Sequence, residues 1–293
     1  MRSNSRIGRG WRLAKDSWGV LRSDRSLALF PIVGTLTSLA AIVIVFAPGV
    51  AIGAAADSVW PFVPFALVGL YLATFATIYA GVGLAAAAAA VMDGKDVTLR
   101  DGLRAARARR GLIAKWALVQ TTVGVILNLL QGLANSDNGI ARLIGTIVIA
   151  LAGAAWTVAT FFVIPLLAFE GVGPKAALKR SIGIVRERWG EGVVGSASIG
   201  GIVFLVGFVP GGLLIAGGVV LGGAGGIVLA VLGALVLLVA AVVGNALSAI
   251  FRVALYRFAT SDRADAGFAA QDLAGAFQER RRRGRDAEAA ATG

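Results

Sequence analysis

Residues 192–251 read GVVGSASIGGIVFLVGFVPGGLLIAGGVVLGGAGGIVLAVLGALVLLVAAVVGNALSAIF, sixty consecutive residues without a charged side chain. A membrane-spanning helix needs about 20 apolar residues, so this stretch is long enough for two crossings. The glycine-rich segment Gly222 to Gly226 predicts the turn between them. Pro210 with its two following glycines favours a kink within the first crossing. We therefore predict two transmembrane helices, at residues 192–221 and 227–256.

Four further uncharged runs precede this stretch, and each is long enough for one crossing. They are residues 26–56, 58–92, 116–136 and 143–169. The whole chain is 57% hydrophobic and 15% charged, whereas soluble domains carry about 25% charged residues. The sequence thus predicts an all-α polytopic membrane protein with six transmembrane helices. The first four are placed at residues 27–55, 59–91, 113–134 and 141–169.

The end of the first run allows a different interpretation. Ala54, Ala55 and Ala56 resemble a signal-peptide cleavage site. The run is much longer than the apolar region of such peptides, which has about 7–15 residues. We therefore expect the first helix to be retained.

Basic residues lie almost entirely on one side of the predicted spans. Of the 28 Lys and Arg residues, all but Arg142 precede the first uncharged run, follow the last, or lie between the second and third runs or between the fourth and fifth. Because basic residues near span ends are retained in the cytoplasm, both termini are predicted to lie on the cytoplasmic side of the inner cell membrane. Residues 1–25 then form a basic amphipathic segment, residues 26–256 a membrane domain, and residues 257–293 a basic, partly disordered tail.

Each inner segment that precedes a hairpin has the pattern of a basic amphipathic helix. The apolar stripes comprise Ile7, Trp11, Ala14, Trp18 and Leu21; Leu99, Gly102, Leu103 and Ala106; and Leu178, Ile182, Val185 and Trp189. We expect these helices to lie in the interface with their apolar sides toward the acyl chains. Four basic side chains are expected to contact anionic headgroups: Lys15, Arg22, Lys179 and Arg186.

Two of these segments also align residue by residue. Residues 15–22 and 179–186 share four identities in eight positions. Together with the common order of elements, this predicts three repeats of a basic interfacial helix followed by a transmembrane hairpin. All three units begin on the same side, so they lack the inversion common in transporters. Chance similarity between two basic helices is the alternative.

Few residues of this chain are suited to catalysis. The absence of Cys and His excludes thiol nucleophiles, Cys/His zinc sites and Ser-His-Asp triads. The span interiors hold no ionisable residue of the kind that marks intramembrane chemistry. Glu170 and Arg252, near the inner ends of their spans, are either paired across helices or extend separately to the headgroups. We expect no catalytic residue, no metal and no cofactor.

Uncharged polar residues inside the spans are the remaining candidates. The main positions are Gln120, Asn128, Thr160 and Asn245. Such side chains either line a path or form hydrogen bonds between helices, worth about 0.6 kcal/mol each, and the second interpretation is preferred. The leading hypothesis is a non-enzymatic membrane protein that is structural, lipid-interacting or accessory to a complex. The alternative is a permease or channel for a small molecule or lipid.

The predicted tail contains five arginines between Arg280 and Arg285. Each basic residue near an anionic surface contributes about 1 kcal/mol, so we expect lipid contact or plain solvation there. No specific nucleic-acid partner is expected. A membrane-protein partner or a homo-oligomer remains open.

Several short motifs follow one another along the chain. They are residues 11–18 (WRLAKDSW) with 29–31 (LFP), 93–94 (DG), 101–103 (DGL), 156–157 (WT) with 160–165 (TFFVIP), and 170–174 (EGVGP) with 177–181 (ALKRS) and 189–191 (WGE). This order resembles a prokaryotic six-helix membrane family known only as a domain of unknown function, family 6159. The resemblance implies a membrane location and six spans, and it implies no activity. A looser similarity to the membrane domain that precedes some glycerophosphodiester phosphodiesterases does not extend to their catalytic barrel.

Overall fold

The computed structural model describes residues 6–134, 139–188, 201 and 203–261, and every regular element within them is helical. The elements are α1 (Arg6–Ser23), a 3-10 turn (Arg25–Ala28), α2 (Leu29–Ala55), α3 (Phe62–Met92), α4 (Leu99–Ala108), α5 (Arg110–Leu133), α6 (Gly139–Ala159), α7 (Val163–Phe169), α8 (Pro174–Arg188), a π-helical turn (Phe204–Phe208), α9 (Val209–Leu221) and α10 (Gly223–Ser261). The arginine-rich tail and Trp189 lie outside the described residues.

Six helical segments are long and apolar enough to cross a membrane. They are residues 25–55, 62–92, 110–133, 142–169, 204–221 and 223–261, with mean hydropathies of 1.5 to 3.1. The all-α architecture with six such helices is therefore confirmed, on length and composition, and it is that of a multi-pass membrane protein.

Glycines in the left-handed region end two of the long helices. At the end of α3, Gly94 has φ +74°, its N–H donates to the carbonyl of Val91, and the N–H of Lys95 donates to that of Ala90. This is a Schellman cap, which a Cβ would disfavour. Gly222 and Gly223, with φ +65° and +61°, make the turn between α9 and α10. The turn falls at the predicted glycine cluster, and α10 begins four residues before the predicted start.

Two predicted spans contain local departures from the α-helix. Residues 160–162 separate α6 from α7, because Pro165 lacks the N–H that a continuous helix would use to reach the carbonyl of Phe161. The π-helical turn at residues 204–208 directly precedes Pro210, which likewise cannot donate to the preceding turn. The kink predicted at Pro210 is thus a widened helical turn.

The described residues form two compact units, the first from those within 1–31, 87–98 and 186–261 and the second from those within 32–86 and 99–185. In the first unit, α1 and α9 pack on α10. The fully buried large side chains of this unit are Leu13, Leu27, Phe30, Ile250, Phe251 and Leu255. In the second unit, the corresponding side chains are Ile113, Phe162, Leu166 and Leu167.

The surface of α1 that is buried differs from the predicted one. Ala14 and Leu21 are 8% and 5% exposed, together with Leu13 and Val20 on the same face. For Ala14 and Leu21 the predicted contact with acyl chains is wrong, because both are buried within the first unit, in which α1 packs on α10. Trp18 is 46% exposed.

Candidate functional site

Gln120 joins two helices of the second unit. The indole N–H of Trp156 on α6 donates to Oε1 of Gln120 on α5 at 3.0 Å. The Trp156 ring also stacks on Trp116, with ring centroids 6.0 Å apart and an interplanar angle of 14°. Thr160 belongs to the same cluster, since its Oγ1 donates to the carbonyl of Trp156 at 2.8 Å. Two of the four predicted polar positions therefore meet at Trp156.

The other two polar positions are exposed side chains. Asn128 lies two turns beyond Gln120 on α5, about 12 Å along the helix axis. Asn245 donates from Nδ2 to the carbonyl of Ala241 at 2.9 Å, within its own helix. The structure therefore does not place Asn128 in the Trp156 cluster, and the bond of Asn245 is local.

Thr121 and Ser181 carry buried hydroxyl groups that the sequence reasoning missed. Thr121 is 9% exposed, and its Oγ1 has no hydrogen-bond partner among the described residues. Ser181 on α8 is fully buried, and its Oγ accepts the backbone N–H of Phe162 at 3.2 Å. This hydrogen bond holds the break between α6 and α7 against α8. The only sequence signal was that Phe162 and Ser181 fall in the motifs at 160–165 and 177–181.

Glu170 forms its ion pair with a residue of α8. Arg180 Nε donates to Glu170 Oε1 at 2.7 Å. The next residue, Gly171, has φ +63°, and a Cβ added there would collide with the guanidinium of Arg109. The predicted pairing of Glu170 with Arg252 stays a prediction. All four residues predicted to contact headgroups, Lys15, Arg22, Lys179 and Arg186, are exposed.

A second ion pair connects the ends of α3 and α10 in the first unit. Arg257 Nη2 donates to Asp93 Oδ1 at 2.6 Å, and Nη1 donates to the carbonyl of Ala89 at 3.1 Å. The same arginine therefore holds both the last turn of α3 and the carboxylate that follows it.

A groove of about 650 Å³ lies beside this ion pair in the first unit. Its wall on α1 consists of Lys15, Asp16, Gly19, Val20 and Ser23, and its wall at the end of α3 consists of residues 91–94. We call it the inner groove. It combines one ammonium group and two carboxylates with an apolar floor. Within the described part of the chain, no group of three or more potential metal ligands occurs.

The comparisons with known proteins identify a family. No curated protein and no solved structure matches the chain. The model of a family of unknown function, DUF6159, matches residues 59–268, which are 210 of the 293 residues. The matched part contains the Gln120–Trp156 and Asp93–Arg257 contacts, whereas α1 with Lys15 and Arg22 precedes it. The resemblance inferred from the motifs is confirmed, and the chain belongs to family DUF6159.

Proposed function

We propose that the protein is a non-enzymatic integral protein of the cytoplasmic membrane whose basic inner helices bind anionic lipid headgroups. Such a protein is structural, lipid-interacting or accessory to a membrane complex. The observation that carries the proposal is the exposure of Lys15, Arg22, Lys179 and Arg186. Two other arginines, in contrast, form ion pairs with carboxylates: Arg180 with Glu170 and Arg257 with Asp93.

The proposal includes the predicted repeat of a basic interfacial helix followed by a transmembrane hairpin. Similar burial in α1 and α8 supports it. Ser17 and Ser181 align and are both fully buried. Lys15 and Lys179 align and are both exposed, as are Arg22 and Arg186. Each helix therefore has one serine-containing face toward protein and one basic face away from it. In the proposed orientation both basic faces and both termini are cytoplasmic.

The bonding of the intramembrane polar groups favours this function over a permease. Gln120, Thr160 and Asn245 are each hydrogen-bonded to a side chain or to a carbonyl of the protein. Proteoliposomes should accordingly show no specific solute flux. Specific uptake that is abolished by Asn245→Leu would favour the permease instead.

The lipid contact is tested with a charge-removing variant of α8. We expect Lys179→Gln combined with Arg186→Gln to weaken stabilisation of the detergent-purified protein by phosphatidylglycerol, because each base near an anionic surface contributes about 1 kcal/mol. The measurement is the midpoint of thermal unfolding as a function of lipid concentration.

Arg142→Gln is the matched control, since Arg142 is exposed and is predicted on the outer side. Its response to phosphatidylglycerol should equal that of the wild type. An equal loss in the control and in the α8 variant would contradict the proposal.

A further inference from the structure

The inner groove lies where α3 leaves the apolar segment. The span ends at Met92, and Asp93 and Gly94 follow directly. Val20, Val91 and Met92 give the groove an apolar floor, and Lys15, Asp16 and Asp93 supply its charges. At a volume of about 650 Å³, it is within the range of about 300–1,000 Å³ that holds small ligands. An apolar floor with a charged rim at the end of a span suits the junction between an acyl chain and its headgroup.

We propose that the inner groove binds the headgroup of a phospholipid with a primary amine, phosphatidylethanolamine. This deepens the proposed function, on which it rests, by naming a lipid class and a site. The phosphate would pair with Lys15, and the ammonium would pair with Asp93 and Asp16.

The charges of the groove favour a zwitterionic headgroup over an anionic one. The lining residues carry one positive and two negative charges, and Arg257, bonded to Asp93, brings the charges at the groove to two of each sign, in contrast to the strongly basic helices around them. A headgroup with only negative charge would place its phosphate beside two carboxylates, which is unfavourable. A headgroup that also carries an ammonium can place its phosphate at the lysine and its ammonium at the carboxylates.

The lining also favours a primary over a quaternary ammonium. A primary ammonium has three N–H donors for carboxylate oxygens. A quaternary ammonium has none and is typically bound by aromatic rings. None of the nine residues that line the groove is aromatic, so phosphatidylcholine is the poorer ligand.

Arg257 holds the Asp93 carboxylate in place before a ligand arrives. Its two bonds, to Asp93 Oδ1 at 2.6 Å and to the Ala89 carbonyl at 3.1 Å, fix the carboxylate relative to the end of α3. A carboxylate offers about four lone-pair sites, so it can accept an ammonium in addition to Arg257. Fixing the acceptor in advance lowers the ordering cost of binding.

Gly19 is a position from which a larger side chain would fill the groove. It lines the groove, and a Cβ added there meets no atom within 4 Å. Leu is also a better helix former than Gly, so Gly19→Leu is expected to fold. Gly183 is the aligned residue of α8, and a Cβ there likewise meets nothing within 4 Å. Gly183→Leu is therefore a matched control.

The experiment measures apparent affinities of the detergent-purified full chain for short-chain phosphatidylethanolamine, phosphatidylcholine and free phosphoethanolamine from lipid-dependent thermal unfolding. We expect phosphatidylethanolamine to bind about tenfold more tightly than phosphatidylcholine, and Gly19→Leu to lose at least about tenfold in affinity. Gly183→Leu should bind like the wild type. Lys15→Gln, a second variant with no added volume, should also weaken binding.

Equal affinity for the two lipids, or full binding by Gly19→Leu, would overturn the groove assignment. Equally tight binding of free phosphoethanolamine would overturn the lipid as ligand in favour of a soluble amine phosphate. These failures are distinct from failure of the proposed function. That function is tested by phosphatidylglycerol and the variant at Lys179 and Arg186, and it stands if only phosphatidylethanolamine selectivity is lost.

Discussion

Two aligned buried serines show how one residue type takes different roles. Ser17 donates to the carbonyl of Leu13 within α1 at 2.9 Å. Ser181 accepts the N–H of Phe162 from the break between α6 and α7. The first bond adds to a carbonyl that is already part of a helix, whereas the second satisfies a backbone donor outside regular structure. The second serine therefore contributes more to stability.

The difference can be tested with a pair of alanine variants. We expect Ser181→Ala to lower the free energy of unfolding by about 1–3 kcal/mol, because a buried amide loses its acceptor. Ser17→Ala should cost about 0.5 kcal/mol, the low end for one hydrogen bond. Thermal unfolding in one detergent measures both, and equal losses would show that the Phe162 contact has no special weight.

At the scale of elements, glycines set the distance between α9 and α10. A Cβ on Gly218 would lie 2.5 Å from the carbonyl oxygen of Gly226 and 2.8 Å from the backbone nitrogen of Ala230. A Cβ on Gly233 would likewise lie 2.7 Å from the carbonyl oxygen of Gly211 and 2.9 Å from the backbone nitrogen of Ile215. Since acyl chains are as apolar as the side chains of a span, helices in a membrane associate largely through such close packing.

Gly218→Ala should therefore separate these helices. Its added methyl group meets backbone atoms that cannot rotate away, and we expect a cost of about 1–3 kcal/mol in unfolding free energy. Gly212→Ala is the control on the same helix, because a Cβ there meets nothing within 4 Å. This change should be neutral or stabilising by up to about 1 kcal/mol. The thermal unfolding midpoints of the two variants should move in opposite directions or by clearly different amounts.

The elements differ in how far the sequence predicts them. Uninterrupted apolar runs and the glycines at 222–226 are local signals, and helices with a turn occur at those places. The sequence placed Trp18 and Leu21 on one lipid-facing stripe, but Leu21 is buried in protein and Trp18 is exposed. Which residues of an amphipathic helix pack on protein depends on its neighbours in the fold, and spacing along α1 carries no such signal. The break at residues 160–162 has a local cause in Pro165, but its hydrogen bond to Ser181, nineteen residues away, has no local signal in the sequence.

At the scale of the whole molecule, the candidate site also combines features that have a local signal in the sequence with contacts that have none. The exposed bases of α1 and α8 could be predicted from helical spacing and charge. The inner groove could not, because α1 and the end of α3 are separated by about 70 residues of sequence with no pattern that pairs them. The Trp156–Gln120 bond, with its sequence separation of 36, was foreseen only as a general preference for bonds between helices.

The orientation of the whole chain is tested by reporter fusions. A reporter that is active only in the cytoplasm should be inactive when fused after Ser136 and active when fused after Asp96, because the connecting segment at the second site is rich in bases and the one at the first carries only Arg142. Activity after Ser136 would contradict the inside placement of both termini. The paired fusions use the same reporter, so they control for expression.

The Gly171 position has a consequence for the evolution of the family. Its backbone has φ +63°, and the space that a side chain would take is filled by the guanidinium of Arg109. The guanidinium is the far end of a flexible side chain and can move aside, so the backbone is the lasting obstacle to a replacement. Substitution at residue 171 is therefore restricted by its backbone conformation, whatever residue stands at position 109.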